Sequence, residues 1–143
     1  MADVVPISDK LRDARDGVLR DLLDAHNTGD IDAVLDVLGP HPRIELIASG
    51  RVVDGEDAVR RYLEDRRRSF PDQHFDVICH HHCERAVVSE QWMTGTHLGD
   101  LHGVEPTGKH FKARMAAIFE FEGTEIVSQR LYYDAGTVAR QLA

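Results

Sequence analysis

The stretch Phe111-Lys112-Ala113-Arg114-Met115-Ala116-Ala117-Ile118-Phe119-Glu120-Phe121, followed by Glu122-Gly123-Thr124-Glu125 and then Ile126-Val127-Ser128-Gln129-Arg130-Leu131-Tyr132-Tyr133-Asp134, decides the fold. Every odd position from Phe111 to Phe121 is apolar, a period of two that marks a strand with one face turned to an interior. A turn at Glu122–Glu125 starts a second strand. Either a two-residue or a four-residue loop sets its even residues beside the odd residues of the first. In that register Ile126, Ser128, Arg130, Tyr132 and Asp134 share the face of Phe111 to Phe121, whereas a three-residue loop with a bulge breaks the alternation. Met115 and Phe119 then line an apolar, concave surface from which Arg130, Tyr132 and Asp134 project. A carboxylate in such a place has a raised pKa and suits a general acid or base. An apolar pocket with a few convergent polar groups is also the usual small-molecule site. The competing reading makes Asp134 the cap of a helical turn near Gly136-Thr137 and Arg130 a surface charge.

Outward from this hairpin, further strands are expected at His74–His82 and Arg85–His97, with the hairpin itself spanning His110–Glu122 and Glu125–Asp134. Helices precede them. Ser8 is placed to cap a helix with Leu11, Ala14, Val18, Leu22 and Ala25 on one stripe and its acids facing away. Asn27-Thr28-Gly29 breaks it, and Asp30 opens a second helix with Ile31, Val34, Leu35 and Leu38 that Gly39-Pro40 ends. A short hairpin turns at Ser49-Gly50. A third helix, Glu56 to Ser69, points Val59, Tyr62, Leu63 and Phe70 inward, and a last helical turn covers Thr137–Leu142. Helices first and antiparallel strands after give an α+β fold, with the helices on one face of a curved sheet. The Gly- and Pro-rich segment Leu98–Lys109 reads as a functional rim loop.

The 143 residues suit a single domain, 1–143, that needs no disulfide or metal scaffold. With 42% apolar and 29% charged residues, the composition is that of a soluble globular protein. No uncharged run exceeds the nine residues Gln91–Gly99, against the ~20 a membrane span needs. No secretory leader is visible at Met1–Pro6, so a cytoplasmic location is expected. The formal charge of −8 disfavours nucleic acid and anionic membranes as partners. Residues 1–36 hold nine acids and four bases, more than half of that excess. The arginines Arg60, Arg61, Arg66, Arg67 and Arg68 read better as a solvated helix face than as an anion site.

The run Trp92-Met93-Thr94-Gly95-Thr96-His97-Leu98-Gly99-Asp100 leads to Pro106-Thr107-Gly108-Lys109. Phe121-Glu122-Gly123-Thr124-Glu125-Ile126, Tyr133-Asp134 and Gln141-Leu142 follow. With Asn27-Thr28-Gly29-Asp30, Gly55 and Phe70-Pro71-Asp72 upstream, this order resembles the SnoaL-like polyketide cyclases and predicted ester cyclases of the nuclear-transport-factor-2-like superfamily, over nearly the whole chain. The resemblance implies a cone of curved antiparallel sheet closed by three helices, a homodimer, and a pocket for a small apolar or aromatic ligand. It also implies an aldol-type ring closure driven by an aspartate on the last strand, without metal or cofactor. Asp134 matches that aspartate by position. Tyr132, Arg130 and His97 are candidate donors to an enolate, His97 having the alternative of tying down the rim loop. Trp92 is a candidate wall for a planar substrate, or plain core. Tyr62, Met115 and Phe119 complete the expected lining. The same fold hosts isomerases, dehydratases, epoxide hydrolases, hydroxylases and non-catalytic binding or dimerisation domains, so a binding role is the alternative.

Cys79-His80-His81-His82-Cys83 carries three of the nine histidines. In a strand, His80 and His82 point one way and Cys79, His81 and Cys83 the other. A His-x-His pair can ligate zinc, but no well-spaced further ligands follow beyond His74 or Glu84. The segment falls where a turn is expected, so no metal is assigned. Cys79 and Cys83 lie about 13 Å apart in an extended strand, too far for a disulfide.

Overall fold

In the computed structural model, Ser8 caps the first helix by accepting a hydrogen bond from the Leu11 amide at 3.1 Å. The structure describes residues 6–143, so most of Met1–Pro6, where no leader was read, lies outside the described residues. Helix α1 (Asp9–Thr28) ends at Gly29, whose φ of 73° is left-handed, and the Arg67 guanidinium packs where a Cβ would stand. Asp30 caps α2 (Ile31–Leu38). Strands β1 (Arg43–Leu46) and β2 (Arg51–Asp54) form the short hairpin, and α3 (Glu56–Ser69) follows. Then come β3 (His74–His82), β4 (Ala86–Thr96), β5 (His110–Glu122), β6 (Glu125–Tyr133) and α4 (Ala135–Leu142).

The fold is α+β, with a curved six-stranded sheet in the order β2-β1-β6-β5-β4-β3. Two details differ from the expected antiparallel cone with three helices. β1 runs parallel to β6, with Ile44 opposite Gln129 and Leu46 opposite Leu131, so the sheet is mixed. A fourth helix, longer than the expected turn, closes the chain. The odd residues of β5 from Phe111 to Phe121 are all buried, as their period requires, against Leu19, Leu22, Val34 and Leu63 of the helices.

Helix α1 is rolled from the expected stripe. Ala14 is exposed and Arg15 is buried at 2% exposure. The guanidinium is tolerated there because three backbone carbonyls meet it, Gly123 at 2.8 Å, Glu84 at 2.9 Å and Cys83 at 3.3 Å, while it stacks 5.0 Å from the Phe121 ring. Arg15 thus joins the β3–β4 and β5–β6 turns to one helix. The same roll brings the partly exposed Asp16 within hydrogen-bond reach of the sheet.

At the other end, the Leu98 and Gly99 amides both donate to the Ser69 carbonyl, at 3.0 and 3.2 Å. Gly99 lies so close to the end of α3 that a Cβ there would overlap the Arg68 carbonyl oxygen. Gly99→Ala is therefore expected to destabilise the protein by about 1–3 kcal/mol. Urea unfolding checks this, with Gly103→Ala, at a loop glycine with open space around it, as the comparison for backbone strain alone.

Candidate ligand-binding site

The hairpin that decides the fold also decides which side chains meet the interior. Glu122 pairs with Glu125 across Gly123-Thr124, and Phe121 pairs with Ile126, but Glu120 then pairs with Ser128. Val127 is an extra residue, a β-bulge that shifts every later residue to the opposite face. Phe119 faces Gln129, Ala117 faces Leu131 and Met115 faces Tyr133. The register expected from strict alternation fails at this point, and Arg130 and Tyr132 turn to the outer face. Arg130 is engaged there by Glu120, which also accepts a hydrogen bond from Ser128 at 3.1 Å. Those two bonds, the Arg130 one first, hold the Glu120 carboxyl below its ordinary range. Tyr132 is 39% exposed.

Asp134 does not project into the interior. It is the N-cap of α4, exposed, accepting from Gly136 N at 3.0 Å and Thr137 Oγ1 at 2.7 Å, with Arg140 at 3.6 Å. The Thr137 and Gly136 hydrogen bonds, with Arg140 behind them, lower its pKa, the reverse of the expected elevation. Trp92 is also turned outward. It pairs laterally with Asp76 and Arg114, and the cations of Lys112 and Arg114 lie 4.5 and 4.9 Å from its ring. His97 is buried at 1% exposure and anchors the rim loop. Its backbone exchanges hydrogen bonds with Lys109 and Gly108, and its Nδ1 accepts from the Thr107 amide at 3.3 Å. His97 lines neither of the hollows described next.

Inside the fold an inner chamber of about 70 Å³ lies between α1, α3 and the sheet. It is walled by Leu22, Phe75, Met115, Ala117, Phe119 and Leu131, with His26, Gln91 and Gln129 as polar groups. That volume has room for a few waters or one functional group. An outer cleft of about 920 Å³ opens between α3, α4, the β1–β2 turn and the rim loop, with Phe70, Met93, Tyr133, Val138 and Leu142 on its walls. That size lies within the ~300–1,000 Å³ of small-molecule sites. Tyr62 and Arg66 line both hollows and form the throat between them.

Of the expected site residues, Tyr62, Met115 and Phe119 converge here. Arg130, Tyr132, Trp92, His97 and Asp134 do not. Sequence reasoning missed Gln91 (1% exposed), Gln129 (4% exposed), His26, Arg66 and Arg67. The signal for Gln91 was a polar residue in a buried-parity position. Gln91 follows the β4 alternation, but Gln129 reaches the inner face only through the bulge. The α3 arginines are not one solvated face. Arg60 pairs with Asp32 and Glu56, and Arg68 pairs with Asp65, whereas Arg66 and Arg67 turn to the hollows. Arg66 stacks 4.8 Å from the Phe70 ring and has no carboxylate partner among the described residues.

The throat is electrostatically distinct. Burial raises the Tyr62 pKa against the opposing effect of Arg66, so the phenol keeps its proton and has it available to donate. Arg51 lies 5.7 Å from its ring centre. Among the described residues, no carboxylate lines the inner chamber. The His26 ring packs edge-on against Phe75 with centroids 5.5 Å apart, and the adjacent Asn27 side-chain amide exchanges two 2.9 Å hydrogen bonds with the Phe75 backbone on the edge strand. Burial, aided by the charge of Arg67, lowers the His26 pKa to about 4.

These features define the class: a nuclear-transport-factor-2-like α+β fold with an internal hollow. The chain belongs to the SnoaL-like polyketide cyclase family, whose model matches residues 17–142. Similar solved structures include a protein provisionally named a polyketide cyclase from Xanthomonas campestris, 20% identical with a TM-score of 0.84, covering 93% of this chain and 99% of that one. IdmH of Streptomyces antibioticus, provisionally named a polyketide cyclase, is 23% identical with a TM-score of 0.76, covering 90% and 97%. AclR of Streptomyces galilaeus, provisionally named a hydroxylase, is 20% identical with a TM-score of 0.77, covering 90% and 83%. No curated protein matches the sequence. No helix among the described residues is long and apolar enough to cross a membrane.

The His26 environment carries a pH prediction. The imidazole takes its proton near 6.5 in the unfolded chain but only near 4 in the fold, so the unfolded state binds more protons between these values. Stability is fully present above about 6.5 and falls as the pH drops toward about 4. In His26→Gln, the melting temperature should decline less over that interval than in wild type. Parallel declines in the two proteins would contradict the assignment.

Proposed function

We propose that the chain binds and orients a largely apolar carbonyl compound of the polyketide type, its body in the outer cleft and one oxygen presented to Tyr62 and Arg66. The observation that carries this reading is the throat itself, a protonated phenol beside a guanidinium that no described carboxylate neutralises, set in apolar walls. Such a pair stabilises negative charge on oxygen, the charge an enol or enolate carries in ring-closure chemistry. The family match supports the substrate class. Met115, Phe119 and Leu131 supply the apolar contact, and Gln91 and Gln129 are placed to meet a polar substituent at the inner end.

Asp134 has no part in this reading, because an exposed helix cap of lowered pKa is a poor base toward carbon. His26 is uncharged at neutral pH, but a group of pKa about 4 is also too weak a base for that step. The role is therefore binding with oxyanion stabilisation, which matches the binding alternative more closely than aspartate-driven cyclisation. It calls for no cofactor.

The test is a screen of planar polyphenols and β-keto esters by calorimetry, with the enol ionisation of each bound compound followed by ultraviolet titration. Wild type should lower the enol pKa. Arg66→Met should weaken binding about tenfold, the loss of a charge-assisted hydrogen bond, and Tyr62→Phe should reduce the pKa change. Asp134→Asn should match wild type in both. An Asp134→Asn protein that loses binding or turnover while Arg66→Met keeps both would overturn the reading.

A further inference from the structure

Among the described residues, the end of β3 carries the densest group of metal-ligating side chains, away from both hollows. Residues 79–82 lie within the strand, not in a turn as expected, so their side chains alternate between its faces. On the helix side, His80 Nδ1 and His82 Nε2 lie 3.0 and 2.8 Å from the same oxygen of Asp16, Oδ1. On the other side, Cys79, His81 and Glu90 form a second group, with 2.7 Å from His81 to Glu90 and 3.0 Å from Cys79 to Glu90. The partners missing from the local sequence come from α1 and β4. His74 instead pairs with Asp76.

We propose that Asp16, His80 and His82 bind a divalent transition-metal ion of the zinc type, clamping α1 to the end of β3. Three donor atoms, two imidazole nitrogens and one carboxylate oxygen, lie within 4.8 Å of one another. An ion about 2.0–2.2 Å from each donor fits donors about 3–3.5 Å apart, which the two Asp16 contacts already approach. The set is a two-histidine, one-carboxylate arrangement, which leaves a coordination position open to water. Its backbone frame is stiff, since i and i+2 on a strand hold the two rings to one face and a capped helix supplies the third group. His82 is only 6% exposed at its side chain, and Asp16 reaches solvent, so the site is shielded but has an entry.

The rings are free to ligate. His80 Nε2 and His82 Nδ1 are buried without hydrogen-bond partners, so turning either ring toward an ion breaks only its bond to Asp16. Arg15, adjacent on the helix, does not compete for the carboxylate because the three carbonyls engage it. The outer group is the weaker candidate. It is more exposed, its thiol is tied to Glu90, and Arg114 stands 3.9 Å from the same carboxylate.

The test titrates the metal-free full chain with zinc chloride by calorimetry and thermal melting, and with cobalt chloride by visible absorption. One zinc per chain should bind and raise the melting temperature. The cobalt form should show d–d bands without a thiolate charge-transfer band. Asp16→Asn and His82→Gln should each weaken zinc more than about 100-fold, exceeding the effect of losing an outer-sphere partner. Cys79→Ser and His81→Gln should leave it unchanged. If His82→Gln fails to fold, Asp16→Asn, at a partly exposed position, decides alone. Absence of saturable binding, loss of binding in Cys79→Ser or His81→Gln, or full affinity in Asp16→Asn would each overturn the proposal.

Discussion

One extra residue, Val127, governs which side chains of the last strand face inward. Before it, Ile126 packs beneath Phe121 in step with the alternating strand opposite. After it, the parity is reversed, so Gln129, Leu131 and Tyr133 take the interior. Glu120 secures the shifted register from outside by holding both Ser128 and Arg130, residues that only a bulge sets beside it. The parallel pairing of β1 to β6 then carries the same register across the sheet, with Ile44 against Gln129. The chamber walls, the position of Tyr133 in the cleft and the exclusion of Asp134 all descend from this shift.

A second consequence is electrostatic. The molecule carries a net charge of −8, yet the throat between its two hollows has Arg66 beside a half-buried phenol, and among the described residues no carboxylate lines the inner chamber. Acidic groups lie outside the chamber, many of them on the outer surface of α1 and α2, with Asp65 and Asp100 on the outer cleft. A guanidinium held by an aromatic face and a thioether, as Arg66 is by Phe70 and Met93, keeps its charge available to a ligand. Overall charge therefore says little about what the hollow accepts.

Much of the architecture was legible because it follows local rules. Ser8 and Asp30 announce the helix starts, and Gly29 announces the break between them. The apolar alternation from Phe111 to Phe121 specifies a strand and its buried face. What was not legible depends on distant partners. Arg15 is buried only because three carbonyls from two turns converge on it, and Asp16 faces the sheet only because Arg15 does. Tyr62, Met115 and Phe119 could be placed at the site by periodicity. Arg66 could not, since five arginines in one helix look alike until Asp32, Glu56 and Asp65 claim two of them. The bulge leaves no composition signal at Val127, so strict alternation carried Asp134 to the wrong face.

The central claim is the register of β6 against β5, and cross-strand nuclear Overhauser contacts in the isotope-labelled protein measure it directly. The bulged register gives contacts between Ala117 and Leu131 and between Phe119 and Gln129. Contacts of Ala117 with Arg130 and of Phe119 with Ser128, the pairs an unbulged strand would give from the Phe121–Ile126 pairing, would contradict it.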